Sequence, residues 1–257
     1  RSFQARDFKG PTWYTTENYL ESLHIPKNIK IGVMVNVSEI ISHPSGINNA
    51  TKLMFRNSKK SRVKFVRLAS HFKEINETIK ICKILKKMNY FVTINLMQIS
   101  EQNKEKILSI TKLINKDSPD VLYFADSLGS MDPSQVRNLV KILRQNWKST
   151  LGIHTHNNLG KAIANSLEAI DAGVTWIDST VTGMGRGSGN AQTEYLLIEI
   201  QSLIKKKINV MPLLKLINKY FNPLKQKYKW GTNPYYYLAG KYGIHPTYIQ
   251  ELLTSDF

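Results

Sequence analysis

The sequence holds a single cysteine, Cys82, in 257 residues. That excludes an intrachain disulfide framework and fits a reducing, cytoplasmic compartment. No apolar run approaches the roughly 18 residues that a membrane helix requires. The N-terminal RSFQARDFKGP lacks the pattern of a secretion signal. Acidic side chains are also scarce: 19 Asp and Glu against 36 Lys and Arg leave a net charge of +17. Such an excess raises nucleic acid as a partner. Most of the lysines, however, fall on the polar faces of predicted helices, as do Lys80, Lys83, Lys86 and Lys87. The two dense runs, NSKKSRVK at 57–64 and KKK at 205–207, carry no interleaved aromatics. The excess therefore reads as a solvated, lysine-rich surface, compatible with steering of anionic substrates.

What is present is a repeating unit. The apolar fraction of 42% supplies a sizeable core. Short runs rich in Val, Ile and aromatics, namely KIGVMV, RVKFVRLA, FVTINLM, DVLYFAD, LGIHTH and VTWIDST, alternate with stretches of 3.6-residue periodicity. Ile75, Ile79, Cys82 and Leu85 mark one helix face; Ile163, Leu167 and Ile170 mark another, which Gly173 is placed to end. Asp132 is a natural N-cap, with Pro133 at the first helical position. Strand ends recur at roughly 24- to 34-residue intervals, the spacing of βα units with parallel strands. Polar residues gather at those ends: Asn36, Ser70 and His71, Gln98, Asp126 and Ser127, His154 and His156, Thr180. An open sheet would concentrate them at one switch point, whereas a barrel draws on every strand. The distribution favours an α/β barrel of the (β/α)8 TIM type.

Two segments carry chemistry. In GIHTHNNLG (152–160), His154 and His156 stand two residues apart, which on a strand points both imidazoles to one face. A strand can thus offer two ligands to one metal ion, though such a pair is also met on surfaces and in satisfied cores. In GMGRGSGNAQTE (183–194), glycines at 183, 185, 187 and 189 allow close backbone approach to a ligand. A helix is expected to start near Asn190, with its first N–H groups free to face an anion. Alternation puts Asp126 and Ser127 on opposite faces, and Ser127, sharing a face with Tyr123 and Ala125, is favoured to enter the site. His71 is read as either a site or a loop residue. The segment WGTNPYYYLAGKYG (230–243) is expected to pack a helix, with Tyr235 or Tyr236 as a further site candidate.

The stretch from GIHTHNNLG through GMGRGSGNAQTE resembles the last two βα units of the metal-dependent aldolase and lyase superfamily of TIM barrels. That group includes 4-hydroxy-2-oxovalerate aldolase, 3-hydroxy-3-methylglutaryl-CoA lyase and isopropylmalate synthase. FVRLASH (65–71) and YFADSLGSMDP (123–133) resemble its fourth and sixth strands, and the likeness covers about residues 30–200. The resemblance implies that His154, His156 and Asn190 are metal ligands. It also implies that Ser127, Asp126 and His154 contact an oxo-acid substrate. The implied cofactor is a divalent ion, Mn²⁺ or Mg²⁺ ahead of Zn²⁺, because imidazole and oxygen donors come without thiolate. The implied reaction is cleavage or formation of a C–C bond in a 4-hydroxy-2-oxo acid through the enolate of pyruvate, with the ion as Lewis acid.

The family's first-strand motif, close to D-x-T-x-R-D-G, is missing; ARDFKG (5–10) has an Arg-Asp pair but no preceding strand. With no initiator methionine, the expectation is a fragment lacking the first one to two βα units. The enolate-stabilising arginine and the catalytic base would lie upstream of Arg1, leaving this chain inactive alone. Residues 1–208 read as the partial barrel and 209–257 as a C-terminal helical extension. KYGIHPTYIQELL resembles the start of a region that contacts a dehydrogenase in some members; a homo-oligomer is the other partner expected. Two alternatives stand beside the aldolase: an acyl-CoA-dependent synthase, whose histidine motif usually reads HxHND, and a non-catalytic basic binding module.

Overall fold

The computed structural model describes residues 1–3, 8–114 and 119–254, so the Arg6–Asp7 pair of ARDFKG lies outside the described residues. Among them, six strands form one sheet in chain order: β1 Ile31–Asn36, β2 Val63–Ser70, β3 Phe91–Leu96, β4 Val121–Asp126, β5 Leu151–Thr155 and β6 Trp176–Ile177. Neighbours such as β1–β2, β2–β3 and β5–β6 run parallel. This is the α/β partial barrel that the βα repeat predicts. No described helix is long and apolar enough to cross a membrane.

The chain divides into two compact units. The first comprises Arg1–Met97, Glu105–Tyr123 and Asn146–Ser149. Its β2 and β3 bury Val66, Leu68, Val92 and Ile94. The helix Ile75–Lys87 closes over them with the predicted face, for Ile75, Ile79, Cys82 and Leu85 are all buried. Each such aliphatic side chain contributes roughly 1.5–3 kcal/mol. Asp120 fixes the start of β3: its carboxylate accepts from Val92 N–H at 2.7 Å and pairs with Lys86 Nζ at 2.6 Å. Ser70 and His71 are engaged locally. Ser70 Oγ meets Thr78 Oγ1 at 2.7 Å, and His71 N–H donates to Glu74 Oε2 at 2.9 Å at the head of a short 3-10 turn.

The second unit comprises Gln98–Lys104, Phe124–Gln145 and the chain from Thr150 onward. Its helix Pro133–Asn146 starts as predicted: Asp132 Oδ1 accepts from Gln135 N–H at 3.0 Å, and Gln135 Oε1 accepts in return from Asp132 N–H at 2.9 Å. That reciprocal pair satisfies two N–H groups a helix start leaves open. Gly173, at φ 90°, follows the helix Ala162–Asp171. The face of that helix departs from the expectation: Ala162, Asn165, Ser166 and Ala169 are buried, while Ile163, Leu167 and Ile170 are only partly so. The reason is polar. Asn165 Nδ2 donates to Met131 O at 2.9 Å and Ser166 Oγ lies 3.2 Å from Thr155 Oγ1, so the small polar stripe turns inward. The VTWIDST run is also shorter than expected, pairing only at Trp176 and Ile177. Beyond residue 208 the described chain is largely helical, including Asn222–Tyr228, Pro234–Tyr242 and Pro246–Thr254.

Candidate functional site

Of the site residues expected from the sequence, Asp126, Ser127, His154, His156, Asn190, Tyr235 and Tyr236 lie in the second unit, whereas His71 lies in the first. Strand alternation on β5 buries Ile153 and Thr155 on one face and turns His154 and then His156 to the other. Their rings meet edge to face with centroids 5.0 Å apart. His154 Nδ1 lies 2.8 Å from Asp178 Oδ2, just past β6, where Asp178 N–H donates to Ile153 O at 3.1 Å. A carboxylate on one imidazole nitrogen fixes the ring and leaves Nε2 to meet a ligand.

His156 and Asn190 pair in an isolated antiparallel bridge. Burial, reinforced by the charges of His154, Arg186 and His245, pushes the His156 pKa down to about 3, so its ring is neutral. His156 Nδ1 and Asn190 Oδ1 are both buried and have no hydrogen-bond partner among the described residues. Each orphan costs about 1–3 kcal/mol unless something fills its lone pair. Two orphaned acceptors beside a carboxylate-oriented imidazole fit a divalent cation. Among the described residues no group of three or more His, Cys, Asp and Glu stands together to hold an ion, so the set relies on the amide oxygen as its third donor.

The glycine loop supports Asn190 through its backbone. Gly189 has φ +75°, and a Cβ there would lie 2.1 Å from Gly183 O; Asn190 N–H donates to that same oxygen at 3.1 Å. Gly187 has φ +58°, and a Cβ would come within 2.8 Å of the Tyr236 ring. The expected helix start is displaced: the helix is Thr193–Ile204, and Asn190 belongs to the bridge before it. Thr193 N–H already donates to Thr180 O at 3.0 Å and so does not face an anion.

Asp126, 1% exposed, turns into the loop after β4, where it accepts from Ser130 and Met131 N–H at 3.0 and 3.2 Å. Burial raises its pKa to about 6 despite these donors and the opposing charge of His154. Ser127 Oγ accepts from Gln98 N–H at 3.0 Å. Of the two tyrosines, Tyr236 is 4% exposed and packs on the glycine loop, whereas Tyr235 is 50% exposed. The packing role expected of the segment around them is real, and its partner is the loop: Trp230 Nε1 donates to Thr182 O at 3.1 Å and Gly231 N–H to Gly187 O at 3.0 Å.

Sequence reasoning missed Asp178 and Arg186. Asp178 was marked by its place, an acid at the end of the strand next to the histidine strand. Arg186 was marked as the one charge inside the glycine loop; burial lowers its pKa and Tyr236 faces it.

Several known proteins share this framework. The 4-hydroxy-2-oxovalerate aldolase of Carboxydothermus hydrogenoformans is 34% identical over 188 residues, 73% of this chain and 53% of that protein. The chain thus spans about half the length of the curated relatives it matches. A crystal structure described as the N-terminal domain of a candidate aldolase from Bacteroides vulgatus superposes with a TM-score of 0.86 at 32% identity, covering 100% of this chain and 83% of that one. HMG-CoA lyase from Bacillus subtilis shares the fold at a TM-score of 0.65 and 17% identity, over 83% of this chain and 75% of that one. The HMGL-like family matches residues 37–218. With the βα order and the strand-end histidines, that match over most of its length makes the chain a member of the HMGL-like family.

Proposed function

We propose that the protein is a divalent-metal-dependent aldolase acting on a 4-hydroxy-2-oxo acid, releasing or consuming pyruvate. The observation that carries the reading is that His156 and Asn190, paired in one backbone bridge, each bury a polar atom unpartnered among the described residues, with the Asp178-held ring of His154 against that of His156. His154, His156 and Asn190 would hold the ion, Mn²⁺ or Mg²⁺ rather than Zn²⁺ given imidazole and oxygen donors without thiolate. When bound, the ion supplies Lewis acidity toward a 2-oxo group.

The chain's own residues do the rest of what can be assigned. Asp178 holds His154 in one orientation, and burial keeps His156 neutral and able to donate a lone pair. Ser127 is the hydroxyl nearest in sequence to the strand end and is assigned to the substrate, with Asp126 shaping the turn behind it. Residues 1–208 would carry the catalytic framework. Residues 209–257 would form a helical extension that steadies the glycine loop through Trp230 and Tyr236.

The test is pyruvate release from 4-hydroxy-2-oxovalerate by the whole protein carrying this chain, with and without added Mn²⁺. Metal-dependent release that His156→Ala abolishes is the expected result. Release unaffected by chelator, or none from any 4-hydroxy-2-oxo acid, overturns the reading.

A further inference from the structure

A cleft is lined by Gly183 and Ser188 of the glycine loop and by Lys225, Lys229 and Thr232 from the chain beyond it, and no role has been assigned to its lysines. It has a volume of about 490 Å³, and its lining also includes Thr182. That volume is within the ordinary range of small-ligand sites, roughly 300–1,000 Å³. Its described lining contains two ammonium groups and no carboxylate. Lys225 lies in the last turn of the helix Asn222–Tyr228, and Lys229 ends that helix in a left-handed conformation (φ 52°), its N–H donating to Lys225 O at 2.8 Å. Lys225 lies down over the backbone: a Cβ on Gly231 would meet its Cε at 3.6 Å and its Nζ at 3.9 Å. Neither lysine forms an ion pair among the described residues.

The hydroxyls are equally specific. Thr182 Oγ1 donates to Val181 O at 2.7 Å, Ser188 Oγ to Asn158 Oδ1 at 2.5 Å and Thr232 Oγ1 to Asn158 O at 2.8 Å. Each has spent its one proton within the protein and retains lone pairs to accept a hydrogen bond. The lining thus offers both positive charge and acceptors. A ligand satisfying both bears a compact anion and hydroxyl donors.

We propose that this cleft binds a small hydroxylated phosphate monoester, with Lys225 and Lys229 holding the phosphate and the three hydroxyl side chains receiving the ligand's own O–H groups. Occupancy bears on the glycine loop. Trp230 and Gly231, which line the cleft, hydrogen-bond Thr182 and Gly187 at 3.1 and 3.0 Å, and the loop leads directly into Asn190. A bound phosphate ester therefore braces the loop. The site stands on this cleft's own geometry and not on the aldolase reading.

The test is calorimetric titration of the full chain with inorganic phosphate and with glucose 6-phosphate, using glucose and matched sodium chloride as controls. Both phosphates bind, glucose 6-phosphate more tightly, and glucose alone and chloride produce no saturable heat. Lys225→Gln/Lys229→Gln weakens binding at least tenfold, whereas Lys206→Gln/Lys207→Gln, the same charge loss elsewhere, leaves it unchanged. Hydrogen exchange at Gly231 N–H slows on addition of glucose 6-phosphate. Equal weakening in both double variants would mean the phosphate is answering net charge alone, and the site would be rejected. So would binding that survives in a folded Lys225→Gln/Lys229→Gln protein. Each outcome is independent of whether pyruvate is released.

Discussion

His156 and Asn190 face one another across a single antiparallel bridge, and each carries a buried polar atom that has no hydrogen-bond partner among the described residues. Replacing either should therefore damage ion binding more than folding, since neither group holds its neighbours through the orphaned atom. His156→Ala is expected to remove measurable Mn²⁺ binding by calorimetry while thermal unfolding stays within a few degrees of wild type. His154→Ala should do the same. Undiminished Mn²⁺ affinity in both variants would discard the ligand assignment.

On the proposed reading, Asp178 would act on the ion through His154, whose Nδ1 lies 2.8 Å from its carboxylate. Asp178→Asn retains a side chain of the same shape but loses the charge that orients the imidazole. Metal affinity is expected to fall about 10- to 100-fold, the usual cost of losing such a partner. A loss as complete as that in His154→Ala would instead make Asp178 a direct ligand.

The loop offers a sharper steric test. Gly187 has a positive φ of 58° and its missing Cβ faces Tyr236 at 2.8 Å, so valine there meets both backbone strain and a ring. The strain alone is about 1–3 kcal/mol. Gly187→Val should lower turnover strongly while far-ultraviolet dichroism remains that of a folded α/β protein. Combining it with Tyr236→Ala should recover part of the loss if the ring is the obstacle. A double variant no better than Gly187→Val assigns the damage to the backbone.

Asp126 gives a pH signature. Its folded pKa, raised by burial to about 6, exceeds the ordinary 3.8, so folding favours the protonated acid. Its favourable contribution is complete below pH 3.8 and is lost as the pH rises through about 6. A shift of about two units corresponds to about 3 kcal/mol, an upper bound on the charge's cost at neutral pH. Asp126→Asn removes that charge and keeps one acceptor for the turn. The difference in melting temperature between variant and wild type should move toward the variant between pH 4 and 7. A pH-independent difference would show that the carboxylate is not charged at the cost proposed.

Much of this framework was legible in the sequence because it rests on local rules. Short runs rich in Val, Ile and aromatics marked the strands, and Asp132–Pro133 marked a helix start that the structure closes with Gln135. The histidine pair was legible for the same reason, as alternation alone aims both rings one way. What escaped depends on contacts between distant segments. The inward face of Ala162–Asp171 was misjudged because Asn165 and Ser166 find buried partners on Met131 and Thr155, and hydrophobicity gives no sign of that. The start of the following helix was placed too early because Asn190 is drawn into a bridge with His156. Asp178 and Arg186 gain meaning only once β5 and the glycine loop are seen around them.

The path of the glycine loop limits how the protein can diversify. Gly187 and Gly189 are closed to any side chain by Tyr236 and by Gly183 O, and Ser188 is committed to Asn158. Met184, 47% exposed, and Arg186, exposed although its guanidinium is partly desolvated beside Tyr236, are loop side chains not closed off in this way. Adaptation to a new ligand, in nature or in directed evolution, would thus be channelled through these two positions, which can exchange size and charge while the rail beneath them stays fixed.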